Sequence, residues 1–446
     1  MNNSTKQVAP ERQLRMKHVV AIGFAYMAPF AVFDTFGIVS HVTNGLVPLA
    51  YCIVFISILF TALSYRKLVQ KYPISGSVYL YTKRIIHPYA AILVGWVSFI
   101  AYLALPMINA LLASVYLSSG FPTVPKWVWV ISLITFITLM NCIGIKIATT
   151  LNTWLVILQF IVVIVFIGLC LKDLLTTPAQ SMPIHDLLPT PNEFPTLLPG
   201  AALLTLSFVG FDAITNLCDE TIRPEKTIPK AIILLAIGGL VFFVVVTYLM
   251  QSLFPNASQF NNYEAASPEI AVHLGGNLFL AFFLGAALLS CIASGLASQL
   301  VASRFLYAMG RDGALPKQVF SYLHPRSKTP LFNILIVGLL AATALFLDLE
   351  KATALVNFGA FSAFTFVNIC VLYAYFKRKK KPAFFENFLF PFLGLVFTGF
   401  LWISLNPFSL FIGGIWTLLG IVYLISTTRF FKKAPVDLHY DELSGM

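Results

Sequence analysis

The sequence predicts an all-α polytopic membrane protein with twelve transmembrane helices. Of its 446 residues, 58% are hydrophobic and 11% charged, with a mean hydropathy of +0.84, where a soluble domain carries roughly 25% charged residues. The apolar residues gather into twelve stretches. Each is about 18–25 residues long, enough for a hydrocarbon core of ~30 Å. Lys and Arg fall almost wholly in alternate connections between the stretches.

In order, the spans run over 19–41, 46–65, 90–117, 127–145, 150–171, 197–217, 230–251, 271–298, 330–348, 353–376, 388–405 and 409–428. The tail before them, 1–18, reads "MNNSTKQVAPERQLRMKH". It has no apolar run ahead of a small-residue cleavage site, so no removable signal peptide is read and the first span acts as the insertion signal. With the N-terminus in the cytoplasm, every Lys and Arg except Lys126, Lys172 and Lys351 lies on that side. The opposite orientation would invert this bias. Both tails, 1–18 and 429–446, are therefore expected on the cytoplasmic side of the cell membrane, and 172–196 forms an extracytoplasmic loop. The net charge of +11 follows those connections, which points to topology and the anionic lipid bilayer as its partners rather than to nucleic acid. The run "KRKKK" at 377–381 reads as a stop-transfer anchor.

Enzyme chemistry finds no support. The six cysteines lie in or at the ends of spans without a CxxC pair, and the seven histidines are scattered with no HExxH. Neither a nucleophile motif nor a phosphate-binding glycine loop is present, so no metal or cofactor is expected. Asn256 opens "NAS", a formal glycosylation acceptor in an outer loop.

Of the 18 Asp and Glu residues, Asp348 closes the ninth span and two lie in the interior of the spans: Asp34 in "AVFDTFG" and Asp212 in "VGFDAIT". A carboxylate at membrane depth costs at least ~2.5–3.5 kcal/mol. Each follows a phenylalanine near a glycine, five spans apart, and no lysine or arginine is read in any span core to neutralise it. Carriers built from inverted five-span repeats place their site where the first helix of each repeat breaks. Pro29 can open the first span and Gly210 the sixth. Either acid alone also fits a structural role, bonded to Thr or Asn on a neighbouring helix. Asp219 and Glu220 sit at the end of the sixth span.

Three stretches resemble signatures of the amino acid–polyamine–organocation (APC) superfamily: "FVGFDAITNLCDETIRPEKTIPKAI", "YPISGSVYLYTKRIIHPYAAILVGW" at 72–96 and "ASGLASQLVASRFLYAMGRDGALPK" at 293–317. Within it, "APFAVFDTFGIVS", "LPMINALLA", "WVWV", "SPEIA" and "TALVNFGAFSAFTFVN" are most similar to proton-coupled putrescine importers, in the same order from about 14 to 430. The resemblance implies a 5+5 inverted-repeat core of the leucine-transporter type with broken helices 1 and 6. Its first repeat would be 19–171, its second 197–376, with two peripheral spans in 377–428. It also implies alternating access around a midplane site lined by the first, third, sixth, eighth and tenth spans.

Amino-acid carriers of this kind hold the substrate carboxylate on a GSG-type cluster at the first break. Here that region reads "AYMAPFAVFD", which suits an amine. Putrescine has two ammonium groups, and Asp34 and Asp212 could take one each. Phe33, Phe208, Phe211 and Tyr102 are candidates to cover its methylenes or hold an ammonium by cation–π attraction. Two departures bear on this. Similar importers carry an acid just before the "YLxLPMIN" stretch, where this chain has Ala101, leaving room for a monoamine or a neutral substrate. The fifth span also lacks the lysine that some proton-coupled relatives use, while sodium would need oxygens from the first break and from Ser294 or Ser298. A buried carboxylate exchanges protons nearer neutral pH, so Asp212 and Glu220 are the proton-coupling candidates. Glu220 also fits a plain structural role through Arg223 or Lys226. The expected activity is proton-driven import of a small organic cation, putrescine foremost. The alternatives are an amino acid permease or amine/amino acid exchanger on the same fold and, from another class, a channel or receptor.

Overall fold

The computed structural model describes residues 12–121, 123–176, 194–255, 257–260, 266–325, 327–377, 383–405 and 407–428. Most of both tails, most of the 172–196 loop, Asn256 and the basic run after Lys377 lie outside the described residues. Within them every regular element is helical, apart from one isolated bridge between Leu14 and Thr221. Eleven helices are long and apolar enough to cross a bilayer. The expected ninth span is shorter, Leu331–Phe346, because its last turn tightens to a 3₁₀ helix at Ala342–Phe346. The chain is a multi-pass membrane protein.

The elements in order are α1 (Met16–Met27), α2 (Ala31–Val42), α3 (Val47–Lys71), α4 (Ser77–Ile85), α5 (Pro88–Gly120), α6 (Lys126–Ile143), α7 (Ile145–Thr176) and α8 (Phe194–Phe208). Then come a 3₁₀ helix at Ala213–Glu220, α9 (Pro224–Leu253), α10 (Ala266–Arg311), α11 (Lys317–Phe320), α12 (Leu331–Ala341), α13 (Leu349–Lys377), α14 (Phe390–Ile403) and α15 (Pro407–Thr427). Pro48, Pro88 and Pro224 start α3, α5 and α9, where the missing N–H has no intrahelical partner to lose. The core is continuous: α3 packs on α9, α5 on α10 and α13, and α1 on α7, α9 and α10.

One expected boundary is corrected. The eighth span was expected over 271–298, but the helix runs Ala266–Arg311, divided at Gly276 (φ 65). "QLVASRFLYAMG" carries no breaker, and the chain turns only at Gly313 (φ 79). Arg304, taken as a loop residue, is thus buried in a helix at 3% exposure.

The first and sixth spans are both interrupted. Between α1 and α2, Ala28 adopts φ 46; Pro29 excludes the α region for the residue before it and offers no N–H to continue the ladder. Between α8 and the 3₁₀ helix, residues 209–212 leave the helix and Gly210 takes φ 136. The two interruptions touch. A Cβ on Gly210 would stand 2.8 Å from a ring carbon of Tyr26 and 3.0 Å from the backbone nitrogen of Met27.

Gly210→Ala meets both obstacles, positive φ and the wall formed by Tyr26 and Met27. A loss of about 1–3 kcal/mol is expected, read as a lower melting temperature in detergent, with uptake falling alongside. An unchanged melt and unchanged uptake would show that the breaks need not meet this closely.

Candidate functional site

Asp212 ends the sixth-span interruption and caps the 3₁₀ helix, so its carboxylate sits where the two breaks meet. It is buried at 3% exposure. Its Oδ2 accepts hydrogen bonds from the hydroxyls of Tyr65 on α3 (3.3 Å) and Tyr102 on α5 (3.2 Å), while Oδ1 accepts only a long bond from the Gly210 N–H (3.4 Å). The Ser77 hydroxyl lies 3.3 Å from that of Tyr102. An ionised carboxylate only accepts, so Tyr102 spends its proton on Asp212 and Ser77 donates to Tyr102. Asp212 forms no ion pair among the described residues.

The structure sorts the remaining candidates. Phe211 stands beside Tyr65, ring centroids 5.9 Å apart, and against Phe364 of α13 at 5.4 Å, so it shares the wall of the Asp212 site. Phe208 turns its ring to Tyr51, Phe55 and Phe243. Phe33 packs among Phe30, Phe166 and Phe283. Pro29 and Gly210 stand in the two breaks.

Asp34, in the first turn of α2, is half-buried and accepts a hydrogen bond from the Tyr116 hydroxyl. Tyr102 and Tyr116 lie fourteen residues apart on the same helix, α5, hence about 21 Å along its axis and close to one face. Side chains on a helix lean the same way, so their hydroxyls keep that offset. A four-carbon diamine offers five bonds of about 1.5 Å plus a hydrogen bond of ~2.9 Å at each end. Asp34 and Asp212 thus bond tyrosines that stand farther apart along α5 than one putrescine spans between hydrogen-bonded ends.

Glu220 is corrected as well. Its partner is neither Arg223 nor Lys226 but the buried Arg304 of α10. The carbonyl of Glu220 accepts the backbone N–H groups of Gln13 and Leu14, both at 2.9 Å, and Ile222 returns a bond to Leu14. Next to it, Asp219 binds Arg311 (2.7 Å) and the Ser75 N–H (3.1 Å), and Lys83 binds Asp312 (2.8 Å). This end of the bundle is held by charge pairs, and it supplies the arginine in a span that the sequence was read as lacking.

Ala101 is buried against α13: a Cβ on Gly359 would stand 2.7 Å from the Ala101 nitrogen and 2.8 Å from its Cβ. The serines named for a sodium ion bond within the protein. The Asn109 amide donates to the carbonyl of Leu105 (2.8 Å), which fixes its orientation, and to the Ser294 hydroxyl (2.9 Å). Ser294 in turn donates to the Tyr26 carbonyl at the first break (3.3 Å), and Ser298 to Gly295 within its own helix. Among the described residues no group of His, Cys, Asp and Glu is arranged to hold a metal.

Sequence reasoning missed Tyr26, Tyr65, Tyr81, Ser77, Asn109 and Asn216 around these acids. A usable signal existed, because a fully buried tyrosine must find a partner for its hydroxyl and "SVYLYTK" and "SYRK" put tyrosines at span ends.

Compared with known proteins, residues 18–432 match the amino acid permease family. The low-affinity putrescine importer PlaP of Escherichia coli is 39% identical over 452 residues, covering 98% of each chain. The branched-chain amino acid permease BcaP of Bacillus subtilis is 26% identical, covering 95% of this chain and 94% of its own. The lysine-specific permease LysP of Lactococcus lactis is 25% identical, covering 96% and 90%.

Two outcomes are expected. Glu220→Gln strands Arg304 and lowers stability by about 3–5 kcal/mol, and adding Arg304→Met restores most of it in a thermal melt. Regained uptake in the double variant marks a structural pair, whereas a folded, inactive double variant marks Glu220 as a proton site. Ala101→Asp overpacks the α5–α13 contact and costs about 1–3 kcal/mol; improved diamine uptake with an unchanged melt would contradict that.

Proposed function

The chain belongs to the amino acid permease family of the APC superfamily, and on that premise we propose that it is a secondary transporter importing a small organic cation, putrescine foremost, by proton symport. The observation that carries the reading is Asp212: a buried carboxylate at the junction of two broken spans, ringed by hydroxyls, without a protein cation paired to it. A site that holds uncompensated negative charge in a bilayer is completed by a cation from outside. The similarity to PlaP across the whole chain supports the amine.

In this proposal the core is a 5+5 inverted repeat, 19–171 and 197–376, with Ala28 and Gly210 as hinge points and both termini cytoplasmic. Asp212, Tyr102 and Phe211 bind the substrate, with Asp212 and Glu220 as proton-coupling groups. Phe33 and Phe208 support the site's walls, and Asp34 forms a separate place on the path. Protons are favoured over sodium because a buried carboxylate can take up and release a proton at the site. With Asp212 at 3% and Tyr102 at 2% exposure, the site is closed, and alternating access requires the half-helices to swing. The second reading, an amino acid permease or exchanger, draws on the likeness to BcaP and LysP and on Ala101.

Labelled putrescine uptake into proteoliposomes tests this. Uptake should be saturable, driven by an inward proton gradient, indifferent to sodium and abolished by Asp212→Asn with normal folding. Competition by a free amino acid but not by diamines would move the assignment to the second reading.

A further inference from the structure

Around Asp212 several polar atoms have no partner. The hydroxyls of Tyr26 and Tyr81 and the Oδ1 of Asn216 are fully buried and make no hydrogen bond among the described residues. Tyr26, at the end of α1, packs on Gly210, two residues before Asp212. Tyr81, on α4, stands edge-on to Tyr65, ring centroids 6.3 Å apart, and Tyr65 is bonded to the carboxylate. Both hydroxyls lie within electrostatic range of Asp212 and Tyr102. Asn216 follows Asp212 by about one turn. Its amide nitrogen donates to the Ala213 carbonyl (3.3 Å) and lies within reach of the Tyr102 hydroxyl, which leaves the oxygen free. Buried polar atoms are almost always paired, and an unpaired one is costly. Three around one carboxylate point to an absent partner.

The chemistry of the vacant positions defines that partner. On Asp212, Oδ2 already accepts from two phenols, whereas Oδ1 has only the long bond from Gly210. The open positions are thus Oδ1 and an amide oxygen, which only accept, and two phenolic hydroxyls, which can accept from a ligand while turning their own protons to a lone pair left over. A primary ammonium presents three N–H donors and a full positive charge, while a quaternary ammonium presents none. We propose that Tyr26, Tyr81 and Asn216 join Asp212 in a receptor for a single primary ammonium group, so that the carrier rejects N-methylated amines. This rests on the cation-import reading and deepens it. One ammonium is bound by counted acceptors, and the far end of the substrate meets the aromatic wall of Phe211 and Phe364.

The test uses the full chain in proteoliposomes and in detergent. Labelled putrescine uptake is inhibited with unlabelled putrescine and with its analogue trimethylated at both nitrogens, and each ligand's shift of the melting temperature is recorded. Wild type should favour the primary amine by roughly tenfold or more, since each lost bond to a charged group is worth about that factor. Tyr81→Phe and Tyr26→Phe each delete one acceptor and little volume. They should raise the KM for putrescine several-fold and narrow the preference over the methylated analogue. A methylated diamine that binds as well as putrescine in wild type overturns the receptor and leaves cation import standing, as do Phe variants with unchanged KM and unchanged preference. Failure of every amine to bind or be carried overturns both.

Discussion

A carboxylate in the middle of a helical bundle within a bilayer has no bulk water to solvate it, and neither has an interrupted backbone. Both problems arise at one place here and each helps to solve the other. The sixth span leaves its helix at 209–212, and the Gly210 N–H freed there turns to Asp212 Oδ1. Gly210 can press against Tyr26 and Met27 because it has no side chain, which brings the first break onto the second. The tyrosines on α3 and α5 then face the carboxylate. Non-helical backbone at membrane depth persists only where protein or a lined cavity surrounds it, so the packing of α1 on the sixth span and the polarity of the site are one constraint.

The same rule governs the far end of the sixth span with the opposite outcome. Asp212 keeps unfilled valence, whereas Glu220 and Asp219, eight and seven residues on, are neutralised by Arg304 and Arg311 from α10. A charge pair of this burial is weak as a stabiliser but costly to break on one side. It ties the 3₁₀ helix, the end of α10 and the segment before α1 into one unit through Leu14 and Glu220.

What could be read from the residues follows from which forces act locally. Hydropathy depends on composition over windows of twenty residues, so eleven of the twelve expected spans return among the described residues as helices long and apolar enough to cross a bilayer. Asp34, Asp212, Pro29 and Gly210 were legible because a carboxylate or a helix breaker in an apolar run is conspicuous without knowing its neighbours. Arg304 was misread for the same reason: a charge ordinarily ends a span, and only the approach of Glu220, 84 positions away in the chain, lets the helix carry it inside.

The sequence by itself determined that this is a many-span membrane protein with acids inside its first and sixth spans, and the family to which it belongs. The tertiary structure alone decided which hydroxyls hold those acids: Tyr65 and Tyr102 on Asp212, and Tyr116, fourteen residues along α5 from Tyr102, on Asp34. It also decided that Ala101 lies in a helix contact with Gly359 and that tyrosines from α3 and α5 converge on one carboxylate. The physical reason is the range of the interactions. Insertion into lipid is summed along the chain, whereas a hydrogen bond exists only within about 3.5 Å of its partner, and which groups come that close is settled by helix packing.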